Sequence, residues 1–350
     1  MPAIPPGGDP TLTLPFAHGG PVLRGGLRAA PEDFVVDEDL GYDASGEGEH
    51  AFLTVRKRQR NTHEVARELA RLAGVPQLAV GYAGLKDRNA VTTQHFTVQL
   101  PGREAPDWSQ LEDGSLEILG SARHHRKIRR GGLRGNRFTI RVSGAAGDRS
   151  QAEQRMLQIR ERGVPNYFGS QRFGRDGQNL ARVDTMFAGR GRRPSREQRG
   201  LLLSAARSQL FNQVLALRVA GHSWDRALDG DVLSLAGSQR QFMHDPDDAT
   251  IAPRLAQLDV HPTGPLCGRP SRALQPAGQA GQVEEQALAE WADWITALQR
   301  FGLDAERRAL RLVVDGLAWE WQGDDLLLRF GLVAGAYATA VLRELVGEGG

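Results

Sequence analysis

Strand-like segments lie at both ends of this chain, on either side of a middle that reads as helices and loops, and this placement constrains the fold more than any other feature. Residues 34–37, 51–56, 78–83, 92–100, 115–119 and 137–142 carry the alternating or β-branched pattern of strands. The pattern returns at 312–314, 317–321 and 326–333, around a Gly-Asp-Asp turn at 323–325. Helices are expected at 151–162, 201–220, 284–300 and 336–346. A further helix is closely specified: Asn61 caps it, Glu64 stands three residues on, Val65, Leu69 and Leu72 share one face, and Gly74 and Pro76 end it. Residues 175–199 are rich in Arg and Gly with little periodicity and read as a loop or linker, and residues 236–281 carry many Pro, Gly and Asp residues and few periodic signals. Strands at both ends suggest one mixed sheet, so the chain is expected to be α+β with its middle inserted.

A chain of 350 residues suits two domains. No apolar run approaches ~18 residues, so no membrane span is expected. The first 21 residues are rich in Pro and Gly and lack the basic start and apolar centre of a signal peptide. Cys267 is the only cysteine, which excludes an internal disulfide and a cysteine-cluster zinc site. These features together favour the cytoplasm. Of the 44 basic residues only Lys57, Lys86 and Lys127 are lysine. Such a skew can reflect genome composition, so the positions of the arginines carry weight and their abundance does not.

One short segment stands out for its chemistry. Residues 83–94, AGLKDRNAVTTQ, set Asp87 between Lys86 and Arg88 at a glycine-led corner between two apolar runs. Adjacent cations favour the ionised carboxylate, which suits a nucleophile or base rather than a general acid. By itself Lys-Asp-Arg is also an ordinary solvated turn. A second segment, 123–138, holds seven Arg or Lys residues, Arg129 and Arg130 among them, and no acid. Its glycines would let backbone N–H groups approach a phosphate, and its Phe138 is either a stacking face for an unpaired base or a core residue. A third, GVPNYFGSQRFG at 163–174, reads either as a base-stacking groove or as a rigid hinge with core aromatics. The acids Glu32, Asp33, Asp37, Glu38 and Asp39 would be split across two strand faces, which favours a solvated edge with one or two ion pairs over a metal site. The nine histidines show no ligand spacing, so no metal is expected. No phosphate-binding or dinucleotide glycine motif is present, so no nucleotide cofactor is expected.

Taken together these segments resemble the TruD family of tRNA pseudouridine synthases. The matching stretches are PEDFVVDE (31–38), GLKDRNAVTTQ (84–94), RGNRF (134–138), GVPNYFGSQRFG (163–174), SAARSQLFNQVLA (204–216) and ATAVLREL (338–345), in family order over nearly the whole chain. The resemblance implies a pseudouridine synthase catalytic domain at 1–162 plus 307–350 and an inserted domain at 163–306. It implies cofactor-free isomerisation of a uridine in tRNA, in bacterial members uridine 13 of tRNA(Glu), with no obligatory protein partner expected. Asp87 falls on the family's catalytic aspartate, and Asn136 and Phe138 fall on its Asn-x-Phe segment. On this reading Asn136 orients the Asp87 carboxylate, Phe138 holds the flipped base, the basic loop with Arg129 and Arg130 takes phosphates, and Lys86 or Arg88 keeps Asp87 charged or holds a phosphate. The inserted domain is expected to close the other side of the cleft. Two positions depart from the family pattern. Arg28 replaces a residue that is usually Lys, and arginine does not serve as a base at neutral pH. Residues 332–336, LVAGA, replace Leu-Pro-x-Gly-Ser.

Overall fold

The computed structural model describes residues 8–238 and 240–348. The chain divides into two compact units. One comprises residues 23–149, 314–335 and 346–350, and the other 1–22, 150–313 and 336–345. Compactness thus separates the chain near 149 and 313, whereas the family resemblance places its functional domain borders at 162 and 306.

The first unit is built on a ten-stranded mixed sheet. Its main path runs Asp315–Gln322, Asp325–Val333, Gly135–Gly147, Phe34–Asp39, Val91–Gln99, His50–Arg58, Leu116–His124. Strands from both ends of the chain therefore meet side by side, with Phe330 opposite Phe138 in the antiparallel pair. Phe34–Asp39 runs parallel to Val91–Gln99 and antiparallel to Gly135–Gly147. The helix Thr62–Leu72 starts where expected, with the Asn61 N–H donating to Glu64 Oε2 at 2.8 Å. Its Val65 and Leu69 pack on Leu53, Val55, Phe96 and Val98 of the sheet. Residues 78–83 do not form the expected strand. Leu78 is exposed, Gln77–Ala79 coils into a 3-10 turn, and only Val80–Gly81 pairs with the sheet.

The second unit is mainly helical. The long helix Arg196–Ala220 buries Leu202, Leu210, Phe211 and Leu215 against Phe173, Trp294 and Leu298. A four-stranded antiparallel sheet, Gln241–Met243, Val232–Leu235, Val260–Leu266, Glu306–Ala309, completes it. The expected loop at 175–199 contains the helix Gln178–Phe187, and the long helix begins at Arg196. Leu180 and Val183 have helical spacing and are fully buried, but arginines and glycines around them dilute the signal. Residues 236–281, which show few periodic signals in the sequence, contain two strands and the short helix Ile251–Ala256. The helix expected over 284–300 is two, Gly278–Leu288 and Ala292–Arg300, joined by a 3-10 turn where the Trp291 and Trp294 rings meet edge to face at 4.8 Å. The aromatics of 163–174 are core: Tyr167, Phe168 and Phe173 are buried, and Asn212 clamps Phe168 by accepting from its N–H and donating to its carbonyl.

Candidate active site

All eight site residues read from the sequence fall in the first unit. Asp87 sits on the corner leading into the strand Val91–Gln99. That corner is pinned from within by Gln94, which is fully buried. Its Nε2 donates to the Gly84 carbonyl at 2.6 Å, and its Oε1 accepts from the Thr62 hydroxyl at 2.9 Å. The same hydroxyl accepts from the Lys86 N–H at 3.0 Å. The leading side of the corner, Gly84 to Lys86, is thereby tied to the start of the helix and to the sheet.

The Asp87 carboxylate receives Arg28 Nη1 on Oδ2 at 2.9 Å and the Asn89 N–H on Oδ1 at 3.0 Å. About a third of each side chain in the Arg28–Asp87 pair remains exposed (30% and 31%), so the carboxylate is held and still reachable. Arg28 adopts a left-handed backbone (φ 62°), a conformation that costs about 1–2 kcal/mol for a residue with a Cβ. In return its guanidinium lies over the Phe34 ring, 4.0 Å from the centroid, while pairing with Asp87. A planar guanidinium can stack and pair at once, which a lysine ammonium does less well. This gives a physical reason for arginine at position 28.

The two cations flanking Asp87 are spent elsewhere. Lys86 Nζ donates to Glu38 Oε1 at 2.7 Å in an ion pair with side chains 6% and 0% exposed. Burial alone would raise the Glu38 carboxyl. Bonds from His95 and the charge of Lys86 outweigh it and hold Glu38 below the usual carboxylate range. Arg88 donates from Nε to the Gln59 carbonyl at 3.3 Å and is otherwise exposed. Charge balance at Asp87 thus comes from Arg28, not from its neighbours in sequence. The expected solvated edge at 32–39 is likewise only partly so, since Glu38 is interior.

Asn136 and Phe138 lie two apart on the strand Gly135–Gly147 and so share a face. Their cross-strand partners are Glu38 and Val36. Asn136 makes no hydrogen bond to Asp87. The register sets it beside the Lys86–Glu38 pair, and its Oδ1 is buried without a partner. Phe138 is not an open platform. It is buried at 7% exposure, stacked on Phe330 at 5.4 Å and edge-on to Phe34 at 6.1 Å. It braces the ring on which Arg28 lies.

The basic loop after Leu116–His124 is anchored to the same corner. Ile128 is buried against Leu40, Phe52 and Ala83, and its N–H donates to Thr97 Oγ1 at 3.0 Å. The loop crosses so close over Gly81 that a Cβ there would stand 2.5 Å from the Ile128 carbonyl oxygen, which requires glycine. The Gly131 N–H donates to the Ala83 carbonyl at 2.7 Å, directly before the Asp87 segment. Arg130 donates to the Tyr82 hydroxyl at 2.8 Å, and that hydroxyl lies 3.0 Å from His63 Nδ1. Arg129 is exposed. A hollow of about 370 Å³ opens beside the corner, between Asn61, His63 and Arg67 on one side and Leu85 and Lys86 on the other.

Residues 14–190 and 178–345 match the profile of the family described as tRNA pseudouridine synthase D (TruD). This chain belongs to that family. It is 50% identical over 334 residues to the tRNA pseudouridine synthase D of Methylococcus capsulatus, covering 95% of this chain and 94% of that one. The relative of the same name in Hydrogenovibrio crunogenus is 44% identical over 331 residues, covering 94% and 95%. A solved Methanosarcina mazei chain assigned to TruD superposes with a TM-score of 0.72 at 22% identity, covering 94% of this chain and 95% of its own, which shows the shared α+β fold.

Two residues that support the Asp87 corner escape a reading of the sequence alone. Glu38 reads there as one of a row of solvated acids, and Lys57 draws no notice. Lys57 is 1% exposed, and its ammonium donates to the carbonyls of Arg60 at 2.7 Å and Asp87 at 3.2 Å. A signal exists: residues 51, 53, 55 and 57 alternate onto one face, and three of the four are apolar.

Proposed function

We propose that this chain converts uridine to pseudouridine in tRNA, at uridine 13 of tRNA(Glu), with Asp87 as the catalytic carboxylate. The observation that carries this reading is the Asp87 carboxylate, held by Arg28 and the Asn89 N–H yet a third open, in a chain of the TruD family. The isomerisation breaks N1–C1′, turns the base, and joins C5 to C1′; the C5 proton is lost and N1 takes one up, so the product is an isomer of the substrate. Nothing is oxidised and no group is donated, so a carboxylate, a base pocket and a grip on the backbone suffice. The target base must first leave its stack. Asp87 then acts at the sugar, either as nucleophile at C1′ or as base at C2′. Asn136 stands by register beside the Lys86–Glu38 pair, and Phe138 supports the Phe34–Arg28 stack from beneath.

The test is release of tritium from tRNA carrying 5-tritiated uridine, followed by mapping of the modified position. Stoichiometric release with pseudouridine at position 13 is expected. Free uracil in place of pseudouridine would make the chain a glycosidic hydrolase, and no release would overturn the activity.

The basic loop supplies a second expectation. Arg129 is open to a phosphate, and Arg130 is held by Tyr82. Replacing both by alanine should lower the magnitude of the slope of log affinity against log salt by roughly 1 for each phosphate no longer neutralised. A slope unchanged from wild type would place the tRNA on another face.

A further inference from the structure

Lys57 is buried under the Asp87 corner with no role in the chemistry above. Its stem lies in the core, and its ammonium bonds to two main-chain carbonyls rather than to a carboxylate, at Arg60 (2.7 Å) and Asp87 (3.2 Å). Burying an ammonium this way costs several kcal/mol relative to an apolar side chain of the same shape. A residue needed only for packing would be served better by methionine. The carbonyls it joins belong to the turn that precedes the helix and to the residue that presents the carboxylate, so the cation bridges the two segments that frame the site.

We propose that Lys57 is a positioning residue for the reaction: its ammonium sets the main chain from which the Asp87 carboxylate is presented, and turnover requires that ammonium in its charged form. The inference rests on Asp87 being the catalytic carboxylate.

The groups facing Lys57 agree with that role. From the corner, the Asp87 carboxylate favours its charge and Lys86 opposes it, and from the helix Glu64 favours it. The Arg60 guanidinium is turned away, paired with Glu68 and 3.5 Å from Asp113. On the flanking strands its register partners, Thr92 and Leu116, carry no charge. Burial outweighs the favourable charges and lowers Lys57 from 10.5 to about 8. In the unfolded chain the lysine keeps its ordinary value, so between about 8 and 10.5 the unfolded state binds more protons than the folded one. The contribution of this group to stability therefore rises with pH across that window. Turnover, which needs the ammonium, falls across the same window. A purely structural lysine would not separate the two.

The experiment measures turnover at saturating tRNA from about pH 6.5 to 10, with thermal unfolding and tRNA affinity alongside. Wild type should lose turnover about tenfold per pH unit above about 8 without a parallel loss of thermal stability. Lys57→Met should turn over about 10- to 100-fold more slowly at neutral pH, bind tRNA within about threefold of wild type, and lack the alkaline limb, because a loosened carboxylate is misplaced by a fraction of an ångström or more. Lys57→Arg keeps a cation that does not titrate, so any activity it retains should run flat through about pH 9. Full turnover by Lys57→Met, or a wild-type profile flat to about pH 10, would overturn the inference. If Lys57→Met fails to fold, the wild-type and Lys57→Arg profiles decide it. An inactive Asp87→Asn beside a fully active Lys57→Met removes only this inference, whereas a fully active Asp87→Asn removes the reading of Asp87 itself.

Discussion

Asp87→Asn should bind tRNA within about threefold of wild type and form no detectable pseudouridine, a loss on the order of 10⁴-fold or more, the scale on which removal of a single catalytic group registers. Asparagine keeps an oxygen for the Asn89 N–H, so the corner retains its local turn. What disappears is the charge that Arg28 pairs with. Since both side chains are about a third exposed, this should change stability by no more than about 1 kcal/mol. Affinity should hold, because removing a negative charge beside a polyanion does not weaken its binding. Turnover is read by tritium release and affinity by filter binding, with thermal unfolding as the control for folding. Wild-type turnover by this variant would leave an active isomerase whose chemistry does not use Asp87, and equal loss of binding and turnover in a folded variant would make Asp87 part of the grip.

Lys86→Met should cost about 3–5 kcal/mol of folding stability at about pH 7, although the residue adjoins Asp87 and looks like a surface cation in the sequence. The reason is Glu38. Its carboxylate is wholly buried, and without Lys86 it keeps only the bonds from His95. In wild type the Glu38 carboxyl is held low, so its contribution is present above its unfolded value and is lost as pH falls through the folded one. In the variant burial is no longer outweighed and the carboxyl moves up. The folded state then holds an extra proton, and the variant gains stability as pH falls through that raised value. Denaturant unfolding of the two proteins should therefore converge toward acid pH. Adding Glu38→Gln to Lys86→Met should recover much of the loss, since no unpaired charge remains inside. A single variant that loses less than about 1 kcal/mol would mean that the pair is solvated in solution.

The sequence discloses local structure well and cross-chain pairing poorly. The helix Thr62–Leu72 is legible because its cap, its periodicity and its terminating Gly74 and Pro76 all lie close together in the chain. The helix Gln178–Phe187 is not, because its apolar positions are set among arginines and glycines and its burial depends on the long helix beyond it. Asp87 is legible as a candidate from its own segment, and the resemblance singles it out. The division of labour between Lys86 and Arg88 is not, since both flank the aspartate equally in the chain. What separates them is Glu38, 48 residues before Lys86, brought beneath the corner by the pairing of Phe34–Asp39 with Val91–Gln99. Lys57 is the same kind of case: its acceptor at Asp87 lies 30 residues away and enters only once the sheet has formed. Phe138 is legible as an aromatic of the site, but the direction it faces is decided by Phe330, from the other end of the chain.

The tether between the Gly131 N–H and the Ala83 carbonyl, with Ile128 seated hard against Gly81, leaves the cationic loop no freedom to slide against the corner that bears Asp87. On the proposed function such an arrangement would act as a ruler. A phosphate gripped at one end of it would lie at a set span from the sugar reached at the other, so a nucleotide would be chosen by its distance along a folded RNA as well as by the identity of its base.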